Sequence, residues 1–203
     1  VCLALLVPGQ PTEVQFYGAN TILKKIREQW GGLSGPARTH LVDTLNERLQ
    51  SMVSQSVPQL VTGRMSIVVS LSAVLSGEEA AAGLVQRALA MAAAGSHLNV
   101  VVELLTAVAD EAEQLERGKR QALVPRLIAA APEVLAMVGA VLAGRLDKSH
   151  AASSCRCLSA WLRLDVSGAG GRLLSLGDMY SQQGALLEGL LAALGDDGNE
   201  ALV

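Results

Sequence analysis

Glycine and proline punctuate the chain at regular intervals, and the stretches between them carry helical periodicity of alternating polarity. The first runs from Pro11 to about Trp30 and stops at "GGLSGP". Pro36 then stands where a first-turn proline belongs and opens "PARTHLVDTLNERLQSMVSQS", where Leu41, Leu45, Leu49 and Val53 mark one amphipathic face. After Pro58 the more apolar "PQLVTGRMSIVVSLSAVLS" follows. Beyond Gly77 comes "GEEAAAGLVQRALAMAAAG", with Glu78 and Glu79 at the end where a helix dipole favours acids. "SHLNVVVELLTAVADEAEQL" is again the apolar partner. The stretch from Arg117 to Arg145, marked by Pro125 and Pro132, holds another helix or two, paired with "KSHAASSCRCLSAWLRLDV". "GALLEGLLAALGDDGNEALV" begins a further pair.

The inner members of these pairs are expected to begin near residues 12, 57, 97 and 149. A spacing of roughly 40–50 residues belongs to two-helix repeats of the HEAT or armadillo type. One such pair cannot bury its own apolar face, so neighbours stack into a continuous core. The expected fold is therefore all-α: a superhelix of antiparallel helix pairs spanning residues 1–203. The start, "VCLALLVPG", reads as the tail of a helix, and the end stops as a new apolar run begins, so the chain reads as a piece of a longer array.

Composition agrees. Half of the residues are hydrophobic, mostly Ala, Leu and Val, and aromatics make up 2%. That mixture favours helices over a β-sandwich. A net charge of −3 without a concentrated basic face argues against a nucleic-acid binder. The most apolar run, residues 127–144, contains Pro132 and Glu133 and reads as a buried helix, not a membrane span. Cys2, Cys155 and Cys157 are an odd set. Two positions apart on a helix, the side chains of Cys155 and Cys157 diverge by about 200°, which rules out joint chelation of a metal. They read as reduced, partly buried thiols of an intracellular protein.

No catalytic constellation emerges. His40, His97 and His150 lie in separate segments, without a carboxylate or thiol at ligand spacing. The single Gly-Lys pair, in "EQLERGKRQ", has Glu113 where a phosphate loop needs its first glycine. "SGAGGRLL" follows no strand, and a nucleophile elbow is absent. The chain reads as a non-enzymatic scaffold with no cofactor and no metal site.

Three segments carry a family resemblance. "PTEVQFYGANTILKKIREQW", with its Val-Gln dipeptide, aromatic pair and basic tract ending in Trp, resembles an early inner helix of the importin-β superfamily of nuclear transport receptors. "VVVELLTAVADEAEQLERGKRQ" is similar to a Leu-rich helix that runs into an acidic turn in the importin-13 and transportin-3 branch, although Val108-Ala109-Asp110 lacks that turn's proline. "RCLSAWLRLDV" resembles a Cys, Trp and Leu run of the same branch. The resemblance implies the N-terminal part of a receptor that binds the small GTPase Ran in its GTP form, carries protein cargo past nucleoporins, and shuttles between cytoplasm and nucleus. On α-helical spacing Phe16, Leu23, Ile26 and Trp30 form a core stripe, joined elsewhere by Trp161. Asn20, Lys24 and Arg27 share the free side, and the resemblance makes them the expected Ran contacts.

Overall fold

A computed structural model of the chain describes residues 2–7, 9–143 and 150–164, together with Gly184 and Glu188. Among the described residues there are seven α-helices and no strand. They are α1 (Thr12–Gln29), α2 (Gly35–Ser54), α3 (Gln59–Ser76), α4 (Glu78–Ala93), α5 (Leu98–Glu113), α6 (Arg117–Leu142) and α7 (Ala151–Arg163). The further pair expected after Gly184 lies outside the described residues.

Local chemistry sets the boundaries. Ser34 caps α2, its hydroxyl accepting from the Ala37 N–H at 3.4 Å, and Pro36 sits in the first turn as its fixed φ requires. Gly77 separates α3 from α4 at φ 114°, a conformation that side-chain-bearing residues rarely adopt. The expected N-terminal helix tail is instead a short 3-10 turn, Cys2–Leu6, packed against α1.

Residues 117–142 form one helix, although two were conceivable on its prolines. Pro125 and Pro132 are two turns apart and both exposed, so each carbonyl that loses its N–H partner lies on a wettable side. Asp110, expected at an acidic turn, is inside α5; the turn comes later, after Glu113.

Odd-numbered helices pack in chain order, α1 on α3, α3 on α5 and α5 on α7. Each even helix lies against odd neighbours, and α4 also packs on α6. The odd helices run parallel and in step. Phe16 and Trp30 of the α1 segment meet Arg64 and Leu75 of α3, while Arg156 and Arg163 of α7 meet Glu103 and Asp110 of α5. Ser70 makes close approach possible in the middle, its hydroxyl donating to the Leu104 carbonyl at 3.1 Å.

This packing explains why α3 is so apolar. It is buried between α1 and α5 with Val61, Met65, Val68 and Val69 fully enclosed. By length and composition α3 and α6 are apolar enough to cross a membrane, and 61% of the apolar window of α3 and 50% of that of α6 are buried within the fold. The face of α2 that packs inward is Val42, Leu45, Leu49 and Met52. Leu41 and Val53 of the expected stripe stand half-buried at its margins.

Two tryptophans pin the odd helices together. Trp30 is buried and its indole N–H donates to the Leu75 carbonyl at 3.2 Å, satisfying a carbonyl of the last turn of α3. Trp161, the largest fully buried side chain, donates to the Leu105 carbonyl at 2.9 Å.

Candidate functional site

The sequence singled out α1, and its geometry starts from what anchors it. Gln15 is buried; its side-chain amide donates to the Val7 and Gln10 carbonyls, both at 3.2 Å, and so ties the N-terminal segment to the helix. Gly18 lets that segment approach: a Cβ there would stand 2.9 Å from Leu5 Cβ. Leu23, Ile26 and Trp30 are buried, as expected of a core stripe. Phe16 is only half-buried. It packs at the margin of the core, and the Arg64 guanidinium of α3 lies 5.5 Å above its ring centroid.

The opposite face of α1 presents Tyr17, Asn20 and Lys24. Tyr17, which the stripes read from sequence had left out, is 66% exposed and lies two turns before Lys24. Lys24 makes an exposed ion pair with Glu28 at 3.9 Å, an arrangement worth little in water. Asn20 is half-buried.

Arg27 differs from its expected place on the free side. Its guanidinium donates to Glu111 of α5 at 2.8 Å, across 84 residues of sequence. The Arg27 side chain is 51% exposed and that of Glu111 only 7%. Nothing in the spacing of residues 20–27 signals this partner, since it comes from a helix two places along the packed row. Asn20, Lys24 and Arg27 do share one face, yet only Lys24 among the two cations is held solely by a solvated partner.

Elsewhere the charged groups tie helices to helices. Arg156 meets Glu103 at 3.2 Å, Arg163 meets Asp110 at 2.9 Å, and Arg126 reaches Glu78 and Glu79 at 3.6 and 3.2 Å. Among the described residues, no group of three His, Cys, Asp or Glu is placed to hold a metal ion. Cys2, Cys155 and Cys157 are free thiols. Burial pushes Cys157 up to about 12 and raises Cys155 as well, so both are protonated near neutrality and are poor nucleophiles.

A cleft of about 340 Å³ opens between the turn into α3 and the start of α5. His97 and Asn99 face Ser56, Gln59 and Thr62 across it, with no carboxylate or thiol in the lining. The Ser56 and Thr62 hydroxyls share this lining with the His97 imidazole, and the Thr62 hydroxyl donates to the Gln59 carbonyl at 3.3 Å.

No protein-family model matches the chain, and no curated protein matches it.

Proposed function

We propose that the chain is part of a helical-repeat array that binds a protein partner along its odd-numbered helices, and that it works as a nuclear transport receptor of the importin-β type. On this reading α1 engages Ran in its GTP form, and cargo and nucleoporins bind elsewhere on a superhelix that continues the same packing. The observation that carries the array is the parallel, in-step contact of α1, α3, α5 and α7. Such a row meets solvent unevenly, with Tyr17 and Lys24 of α1 exposed and Asn99, Glu103, Thr106 and Asp110 of α5 half-buried, and a large partner can read several edges at once.

The decisive experiment compares binding of the 203-residue chain to Ran loaded with GTP and with GDP. Preference for the GTP form, weakened by Lys24→Glu, is the expected result. Equal binding, or none, overturns the transport reading. A repeat scaffold unrelated to transport is the second reading. The Arg27–Glu111 pair favours it, because that pair engages one of the three expected Ran contacts within the fold.

A further inference from the structure

We propose that the Arg27–Glu111 ion pair is a strap that holds α1 and α5 together across α3, and that its release lets the row of odd-numbered helices open on that side. The inference goes beyond the transport reading. It needs only the packing of the helices and holds whatever the row binds.

Among the described residues, the other ion pairs between helices join packed neighbours. Arg156 and Arg163 of α7 meet α5, and Arg126 of α6 meets α4. Arg27 alone reaches past an intervening helix, to a carboxylate on α5 at 2.8 Å, while α1 itself packs on α3. Packed helix axes stand about 8–10 Å apart, so two seams separate α1 from α5 by about 16–20 Å in a flat row. A direct contact over that span draws the two helices toward each other across α3. Bending the row changes each seam slightly, but the α1–α5 separation adds both changes. The strap sits where bending is felt most.

Its two ends differ. Glu111 is the one charged residue that is buried among the described residues, whereas the Arg27 side chain is 51% exposed. Breaking the pair in place strands a sheltered carboxylate, which costs far more than an exposed pair returns. Moving α1 away from α5 instead lets water reach Glu111, and Arg27 already stands half in water. Release and opening are therefore one event, with the guanidinium as the movable end and Glu111 as the anchor.

Spin-label distances in the 203-residue chain test the strap. The background carries Cys2→Ser and Cys155→Ser, and Cys157 stays because it is buried. Labels on cysteines at the exposed positions 25 and 114 measure α1 against the end of α5, and labels at 25 and 76 measure α1 against the end of α3. Arg27→Gln should lengthen the α1–α5 distance by about 2–4 Å, because each of the two seams gives by about 1–2 Å. The α1–α3 distance, across one seam, should grow by half as much or less. Arg27→Lys, which restores the charge, should return the parent distance. Glu111→Gln strands no charge, so it carries the test where Arg27→Gln folds poorly; it should broaden the α1–α5 distances toward the longer value.

An unchanged α1–α5 distance in folded Arg27→Gln, or in folded Glu111→Gln, overturns the strap. So does equal lengthening of both label pairs, which would place the damage at the α1–α3 seam. Arg27→Lys as open as Arg27→Gln overturns it too, since the strap acts through charge.

Discussion

Trp161 and Arg27 show how much a single side chain carries here. Trp161 fills the seam between α5 and α7 and also donates a hydrogen bond inside it. Trp161→Ala should cost about 3–5 kcal/mol in a denaturant melt, as large-to-small changes in a packed core do. Arg27→Met leaves the Glu111 carboxylate buried and unpaired, at about 1–3 kcal/mol. Lys24→Met should stay within about 0.5 kcal/mol, since its pair is solvated. Equal melting of the two variants would show the Arg27–Glu111 pair to be inert. Cys157 adds a pH dependence. Its thiol rises from 9.0 to about 12 on folding, so the folded chain holds that proton more tightly than the unfolded one. The stability it contributes is complete below about pH 9 and is lost as pH climbs toward 12. The urea midpoint should fall between about pH 8 and about pH 10.5, and fall less in Cys157→Ala.

At the scale of elements, the chain's local chemistry was readable and its lateral chemistry was not. Odd helices expected near 57, 97 and 149 begin at 59, 98 and 151. Gly, Pro and capping residues act within a turn of themselves, so their signals survive in a linear string. The partners of α1 do not. Glu111 lies 84 residues from Arg27, and the half-exposure of Phe16 depends on which helices flank it in space. Tyr17 was legible in principle, being at helical spacing from Lys24. Gly18 joins both kinds of information, a poor helix former retained where the Cys2–Leu6 turn crosses α1. Gly18→Ala should destabilise by about 1–3 kcal/mol, because a Cβ would meet Leu5. In a chain lacking residues 1–9 the same change should instead stabilise by up to about 1 kcal/mol, Ala being the better helix former. Destabilisation in both backgrounds would place the cause within α1.

Over the whole molecule, the question is how far a local injury travels. In a row where each odd helix packs on the next, stability is close to a sum of neighbour terms, so damage decays with distance along the row. In a single closed bundle the same damage is shared by every helix. Trp161→Ala separates the two, because it acts at the α5–α7 seam, while α1 packs on α3. Native-state hydrogen exchange should show protection lost first in α7 and in the middle of α5, where Leu105 accepts the indole bond. The first half of α1, around Gln15 and Gly18, should keep nearly all of its protection. One departure from simple decay is expected. Arg27 joins the last turns of α1 directly to α5, so residues 26–29 should respond more than residues 15–19, though both are on one helix. Adding Arg27→Met to Trp161→Ala should abolish that difference by cutting the shortcut. Uniform loss of protection across α1, α3, α5 and α7 would mean that the helices unfold as one cooperative body and that the repeat description fails.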